Sequence, residues 1–245
     1  MFIGHWAPAL VAATDRRAPS LGVLFIGAQL LDWAFFLFLL LGAEHMRMAP
    51  GITAMNPMDL YDMPFTHSLL GAVVWSALFA VVVWLPKVDR RTALIGGGVV
   101  FSHWLLDLLV HRPDLTIIGG NPRLGLGLWN SPLIEMPLEI GLTVGALLFY
   151  LAKTRARPSA KSPRSAVAVA VLVALLASVQ AINWFGPQAT EVTTGTSLLA
   201  FFAYGTVTAA AFWLASTRDY AHITRSSPGD YPLEDRPLED RSLED

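Results

Sequence analysis

Long apolar segments separated by short polar ones make up most of this chain. Six of the apolar segments approach the roughly 20 residues that a helix needs to cross a lipid bilayer. These segments are Leu21–Leu41, His67–Leu85, Thr92–His111, Leu133–Ala152, Ser165–Phe185 and Gly195–Ala215. The pattern predicts an all-α fold, namely a polytopic membrane helix bundle with about six transmembrane helices within residues 1–218.

Both ends of the chain depart from this pattern. Residues 1–13 are apolar but too short to span a bilayer, and they lack the basic start of a signal peptide. They predict a short N-terminal apolar helix that either enters half of the membrane or lies on its surface. Residues 219–245 repeat Leu-Glu-Asp three times among prolines and charges, which predicts a disordered acidic tail without a catalytic role.

The composition supports a membrane location. Hydrophobic residues make up 54% of the chain and charged residues only 15%, whereas soluble domains average about 25% charged residues. The net charge of −2 gives no reason to expect nucleic acid as a partner. Because the chain has no cysteine, a bound metal would have to be held by His, Asp and Glu, which suits zinc or manganese.

Basic residues are distributed unevenly among the segments that join the apolar stretches. Of the 17 Lys and Arg residues, all but three lie before the first stretch, after the second, after the fourth, or in the tail. The exceptions are Arg47, Arg112 and Arg123. Since basic loops stay in the cytoplasm, we expect an integral protein of the cell (inner) membrane with a cytoplasmic C-terminus.

The third apolar segment carries three polar side chains on one face. His103, Asp107 and His111 follow one another at intervals of four residues, so a helix aligns them in one stripe. Polar groups in the hydrocarbon core cost roughly 2.5–3.5 kcal/mol each, and a metal ion is the simplest partner that would offset this cost. His103 and Asp107 are therefore predicted metal ligands, whereas His111 is interpreted as an interfacial residue at the membrane edge.

Other polar side chains lie at matching depths on neighbouring segments. Asp32 and His103 are both about 18 Å from the cytoplasmic ends of their segments, at 1.5 Å per residue. His67 begins the second segment from the outer side, and Glu135 and Glu139 share a face at the outer start of the fourth. We therefore predict a metal site that is built by the first four segments and opens outward, with the last two segments as support or oligomer contacts.

Four short motifs carry a resemblance to a known family. They are Gly4-His5, Gly27-Ala28-Gln29-Leu30-Leu31-Asp32, Phe65-Thr66-His67-Ser68 and Ser102-His103-Trp104-Leu105-Leu106-Asp107. In order and spacing, residues 1–152 resemble the LexA-regulated, membrane-bound metal-dependent hydrolases of the YdjM type. That family is grouped distantly with the zinc-dependent phospholipases C and the single-strand nucleases.

The resemblance implies a ligand set. Asp32, His67, His103 and Asp107 would form one metal site, and His5 would contribute to a second that Asp107 bridges. The family often has His-Arg-Gly before its Thr-His-Ser motif, at positions where this chain has Asp62-Met63-Pro64. Asp62 is accordingly a further candidate ligand.

The predicted function is that of a membrane-embedded metal-dependent hydrolase. One or two divalent ions, zinc before manganese, would activate water for attack on a lipid-like or outer-leaflet phosphoester, and membrane lipid is the expected surrounding. Asp32, Glu135 and Glu139 are the candidates for a general base or a water-orienting group. Two alternatives stay open: a transporter or channel with an intramembrane His/Asp path, and a non-catalytic membrane scaffold.

Overall fold

The computed structural model describes residues 1–85, 89–158 and 162–220, and most of these residues are helical. The predicted all-α class is therefore confirmed. After a 3₁₀ turn at Ile3–Trp6, the helices are α1 (Ala7–Ala12), α2 (Leu21–Ala28), α3 (Leu30–Leu41), α4 (Leu69–Trp84), α5 (Arg90–Val110), α6 (Pro132–Lys153), α7 (Ser162–Phe185) and α8 (Thr194–Ser216). A second 3₁₀ turn, Leu128–Asn130, precedes α6.

Short strands join some of these helices in antiparallel pairs. The strands are β1 (His45–Met48), β2 (Met58–Asp62), β3 (Leu115–Thr116), β4 (Arg123–Leu124), β5 (Thr154–Ala156) and β6 (Arg218–Tyr220). β1 pairs with β2, β3 with β4, and β5 with β6. Asp219 and Tyr220, which the sequence assigned to the tail, thus belong to β6, and the rest of the predicted tail, 221–245, lies outside the described residues.

Four of the described helices are long and apolar enough to cross a membrane: α5, α6, α8 and the part of α7 from Pro163 to Phe185. Together, α2 and α3 form a fifth candidate, which bends by 51° where they meet. At 16 residues, α4 is shorter than these. The structure therefore supports a membrane protein with four to five candidate spanning helices, and the predicted number of about six is not confirmed.

The loops that the sequence predicts to be cytoplasmic meet at one end of the bundle. Arg91 Nη2 lies 2.6 Å from Asp15 Oδ2, and the Tyr220 hydroxyl donates a hydrogen bond of 3.1 Å to the carbonyl of Asp15. The backbone N–H of Arg17 donates to the Asp15 carboxylate, and this bond is the largest contribution that lowers the pKa of Asp15 from its ordinary value. These contacts bring together the segment before α2, the first turn of α5 and the strand after α8.

The opposite end is covered by the hairpin of β1 and β2 and by the segment between α5 and α6. The guanidinium groups of Arg47 and Arg112 both pair with the carboxylate of Asp59, on β2. Ser68 begins α4 at this end, because its hydroxyl accepts a hydrogen bond of 2.9 Å from the Gly71 N–H as an N-cap. The hairpin and the α5–α6 segment form a cap over the ends of α3, α4 and α5.

The N-terminal segment packs inside the bundle rather than on its surface. Trp6 and Leu10 are fully buried, and α1 makes its main contacts with α6, α2 and α5. The sequence left a surface-lying helix open as an alternative for residues 1–13, and this burial contradicts it. Because the segment is internal, it brings His5 to the middle of the bundle.

Candidate metal centre

The carboxylate of Asp107, on the last full turn of α5, lies at the centre of four histidine rings. The Nε2 atoms of His5 and His111 lie 3.0 Å and 3.4 Å from Asp107 Oδ1. Those of His103 and His67 lie 3.1 Å and 3.6 Å from Asp107 Oδ2. The two oxygens of one carboxylate therefore face two separate pairs of imidazoles.

Asp32 completes one side of this arrangement. Its Oδ1 atom lies 3.3 Å from His67 Nε2 and 3.6 Å from His103 Nε2. Two groups of three potential ligand atoms lie within 4.8 Å of one another: those of Asp32, His67 and His103, and those of His5, His103 and Asp107. The structure thus brings together all five residues that the family resemblance implied.

Three of the four imidazoles are oriented by a hydrogen bond at the other ring nitrogen. His103 Nδ1 donates to the Ala28 carbonyl at 2.7 Å, and His111 Nδ1 lies 2.8 Å from Asp114 Oδ1. The Thr66 hydroxyl donates its hydrogen to Glu44 Oε2 at 2.6 Å, so it accepts from His67 Nδ1 at 2.8 Å. With Nδ1 protonated, each Nε2 presents its lone pair to the centre, as metal-binding histidines do.

The break between α2 and α3 supplies one of these orienting groups. Gln29 lies between the two helices with φ −113° and ψ 10°, outside helical geometry. The carbonyls at a helix end have no intrahelical partner, and that of Ala28, the last residue of α2, accepts the bond from His103. Non-helical backbone is tolerated within a membrane where protein buries it in this way.

Asp32 is held by two donors on the side away from the histidines. Gln29 Nε2 and the Tyr204 hydroxyl each donate to Asp32 Oδ2 at 3.2 Å. The Asp32 side chain is 18% exposed, compared with 2% for Asp107. Asp32 is therefore the more accessible of the two carboxylates.

His67 lies in a tight turn just before α4. The Trp104 indole N–H, from α5, donates to the His67 carbonyl at 3.1 Å. A Cβ atom at Gly71 would lie 2.4 Å from the Phe65 carbonyl oxygen, so glycine is required where this turn meets the helix. The chain therefore fixes His67 through both its ring and its backbone.

His111 belongs to the centre, and its interpretation as an interfacial residue was wrong. The ring is 4% exposed and packs on the Trp129 indole at a centroid distance of 4.2 Å. The carbonyls of Leu108 and His111, which the end of α5 leaves free, accept bonds of 2.8 Å and 2.7 Å from the N–H groups of Leu126 and Gly127. The α5–α6 segment thereby closes over His111 and shields it from the interface.

The N-terminal segment places His5 against the centre. Its ring stacks on that of His103 at a centroid distance of 3.7 Å and an interplanar angle of 10°. Glu139 Oε1, on α6, accepts hydrogen bonds from the backbone N–H groups of Phe2 and Gly4, and its Oε2 accepts a 2.7 Å bond from Gln180 Nε2. Glu139 therefore anchors the N-terminal segment to α6 and α7.

Of the three remaining candidates, Glu135 and Glu139 line the cavity at the centre, and Asp62 does not. Glu135 is buried beside the centre's cavity, and its Oε2 has no hydrogen-bond partner in the described part of the chain. Glu139 is occupied by three donors, which fits an anchor better than a general base. Asp62 lies on β2, pairs with His45 Nδ1 at 2.9 Å and is 45% exposed, so the structure does not bring it into the cluster.

Three buried atoms at the centre test whether a metal would fit. Nε2 of His5, Nε2 of His103 and Oδ2 of Asp107 have no hydrogen-bond partner within the described residues. Lone pairs on these atoms would repel one another unless protons or a cation lie between them. Nitrogen and oxygen donors at such spacing suit a divalent ion of the zinc or manganese type.

Several supporting residues had escaped sequence reasoning. Glu44 acts on the centre through Thr66, Tyr204 acts through Asp32, and Gln180 acts through Glu139. Each of these three supporting residues lies on a helix or loop far away in sequence from its partner. Gln180 is a large polar residue in an otherwise apolar segment, and that signal could have pointed to its role. Comparisons with protein-family models, curated proteins and solved structures found no match to this chain.

Proposed function

We propose that this chain is a membrane-embedded, metal-dependent hydrolase that acts on phosphoesters. The observation that carries the proposal is the convergence of four histidine Nε2 atoms on the two oxygens of the buried Asp107 carboxylate. Neutral imidazoles would direct their Nε2 lone pairs at the carboxylate oxygens, and one or two divalent ions between them would replace this repulsion with coordination bonds. The motif resemblance to the YdjM-type hydrolases agrees with this proposal.

The two groups of potential ligand atoms share His103, which supports one metal position or two adjacent ones. Asp32, His67, His103 and Asp107 would hold one ion, and His5 and Asp107, with His111 beside them, would contribute to a second. Zinc bound there would supply Lewis acidity and water of lowered pKa, and manganese would use the same donors. The hydrogen bonds at His103, His67 and His111 keep these rings oriented while a substrate binds.

Glu135 is the best placed of the three candidates for the general base. Glu135 lines the same cavity as the cluster, and its Oε2 has no hydrogen-bond partner among the described residues. In contrast, Asp32 faces two imidazoles and Glu139 is engaged with three donors. In hydrolysis, water forms a new P–O bond and the bond to the alcohol breaks. Glu135 would accept the proton that water loses and return it to the departing alkoxide.

The proposal includes a membrane topology. If α2 and α3 are one bent span and α4 is a short one, the chain crosses the membrane six times, and the loop before α2 and the C-terminus are both cytoplasmic. The candidate centre lies near the end of the bundle opposite the basic loops, which supports a site that opens to the extracytoplasmic side. We propose the cell (inner) membrane as its location.

A path for protons or metal ions is the second candidate function. The helix break at Gln29, next to Asp32, is the observation that favours it, because discontinuous membrane helices often expose backbone groups at ion sites. Uptake of metal or protons into proteoliposomes, without hydrolysis of any phosphoester, would support this alternative.

Metal content tests the proposal most directly. In purified protein, elemental analysis should find about one or two zinc or manganese ions per chain, and Asp107→Asn should remove most of them because it weakens both positions. Asp62→Asn is a matched control, since Asp62 lies on the exposed hairpin, and it should keep the metal. Protein that binds neither ion, even after incubation with them, would contradict the proposal.

Turnover tests the role of Glu135. Glu135→Gln should retain the metal but lower kcat for a chain-free phosphodiester, bis(p-nitrophenyl) phosphate, by about 10²-fold or more. If Glu135→Gln hydrolyses this substrate as fast as the wild type does, Glu135 is not the base.

A further inference from the structure

A cavity of about 600 Å³ extends from the candidate centre along α7 and α8. His5, Asp32, Asp107 and Glu135 line its polar end. Beyond them the walls become apolar, and their main residues are Leu175, Val179 and Ile182 of α7 and Leu199, Phe202 and Ala203 of α8. The cavity therefore joins a polar reaction site to a long hydrocarbon-like groove.

The cap closes this cavity on the outer side. Leu60 and Met63 of the β1–β2 hairpin and Trp129 of the α5–α6 segment line it, and all three are buried. Met55 and Met58 complete the lining contributed by the hairpin, and methionine side chains adapt to flexible apolar ligands. Direct access from water is thus restricted above the centre.

The cavity is open sideways, between helices. Ile182, Leu199 and Phe202 line it, yet 63%, 63% and 69% of their surface is exposed. They belong to α7 and α8, which are long and apolar enough to span a membrane. In a bilayer, these exposed residues would face lipid hydrocarbon, and so would the opening that they surround.

The apolar walls of the cavity also distinguish among substrates. Among the described residues, no Lys or Arg lines the cavity, and the N-terminal ammonium of Met1 lies at its polar end, 3.6 Å from Asp107 Oδ1. A small, fully soluble phosphate compound would therefore make no use of the apolar groove. A substrate with a hydrocarbon chain would instead gain apolar contact along the groove, which from Thr196 to Thr206 is about 15 Å long at 1.5 Å per residue.

We infer that the substrate is a membrane phospholipid that enters sideways from the bilayer and lays one acyl chain in the groove between α7 and α8. This inference rests on the proposed hydrolase function. The headgroup phosphoester then lies at the polar end, beside Asp32 and Glu135. α7 and α8, which carry no candidate metal ligand, select the substrate through its chain.

Photo-crosslinking tests the position of the chain independently of catalysis. The probe is a phosphatidylcholine with a diazirine near the end of one acyl chain, mixed into phosphatidylcholine vesicles that contain the purified protein. We expect adducts on the cavity-lining residues of α7 and α8, and we expect Ala203→Trp, which fills the groove, to reduce them about tenfold. Ala209→Trp is the matched control, because Ala209 is exposed on the same helix but does not line the cavity.

Two further measurements separate this inference from the proposed function. Ala203→Trp should lower the ratio of long-chain phospholipid turnover to bis(p-nitrophenyl) phosphate turnover about tenfold or more, whereas Ala209→Trp should leave this ratio as it is in the wild type. Adducts spread evenly over all exposed helix faces would contradict the groove as the binding site of the acyl chain. An equal loss of adducts in Ala203→Trp and Ala209→Trp would also contradict it. Groove-specific adducts without hydrolysis of either substrate would sustain the groove and refute the hydrolase.

Discussion

At the residue scale, the orienting partners of the histidines matter as much as the ligands. His67 depends on a chain of two hydrogen bonds, from its Nδ1 to Thr66 and from Thr66 to Glu44. Glu44 is fully buried and also accepts from the N–H groups of Phe65 and Thr66, at 2.7 Å and 2.9 Å. This chain fixes the tautomer of His67 without contributing any atom to the centre.

Replacing Thr66 with valine should therefore weaken metal binding while preserving the shape of the side chain. Loss of an outer-shell partner of a metal-bound histidine typically reduces metal affinity about 10- to 100-fold, and we expect Thr66→Val to fall in this range in a zinc competition titration. Thr14→Val is the control, because the only hydrogen bond of the Thr14 hydroxyl among the described residues is to the Val11 carbonyl, in an exposed turn at the other end of the bundle. Equal affinities for Thr66→Val and the wild type would show that His67 needs no such partner.

The sequence predicted the members of the His/Asp cluster better than their hydrogen-bond partners. His103 and Asp107 could be found because four-residue spacing places them on one helix face, and Asp32 and His67 because their depths match. His111 has the same spacing but was set aside for lying near the membrane edge, since a linear sequence cannot show that the α5–α6 segment folds over it. Glu44 and Tyr204 act across long sequence separations and leave no local pattern.

At the element scale, α6 anchors the N-terminal segment that carries His5. The Glu139 carboxylate accepts hydrogen bonds from backbone N–H groups of this segment and from Gln180. Hydrogen bonds to a charged group contribute about 1.5–3 kcal/mol each. The position of His5 therefore depends on a residue that is not itself a ligand.

Glu139→Ala should act like His5→Ala. Both variants should lower the metal content to a similar extent, because each removes His5 from the centre, and the double variant should lose little more than either single one. Elemental analysis measures this, with the thermal midpoint Tm recorded to show that the bundle stays folded. Glu191→Ala, in the exposed α7–α8 loop, is the control. If the double variant lost metal by the sum of the two single losses, Glu139 would not act by holding His5 in place.

The hydrophobic pattern predicted the helical segments but not the breaks within them. Leu21–Leu41 was predicted as one segment, whereas the structure divides it at Gln29 into two helices bent by 51°. Gln29 is compatible with a helix on propensity alone. Its buried bond to Asp32 and the bond from His103 to Ala28 are tertiary contacts that the local sequence does not reveal.

At the scale of the whole molecule, the two ends of the bundle differ in character. One end gathers basic loops around Asp15, and the other carries the hairpin cap and the candidate centre. The positive-inside rule predicted this segregation of loops, and the contacts between Asp15, Arg91 and Tyr220 are consistent with it. The side of the membrane on which each end lies stays a prediction.

Cysteine labelling can test that orientation, since the chain contains no native cysteine. We expect Tyr61→Cys, on the exposed hairpin, to react with a membrane-impermeant maleimide added to intact cells. Arg17→Cys, an exposed position at the basic end, should react only after the cells are permeabilised. The reverse pattern would place the candidate centre on the cytoplasmic side.

The long-range bond between Gly4 and Glu139 also sets an order of events during biosynthesis. The ribosome adds Glu139 135 residues after Gly4, an interval of roughly 7–27 s at about 5–20 residues per second. Gln180, which holds the other oxygen of Glu139, follows 41 residues later still. Until α6 and α7 are inserted, His5 has no fixed place beside His103. The nascent chain therefore cannot complete the cluster of His5, His103 and Asp107 until the helices that hold the N-terminal segment in place have been translated.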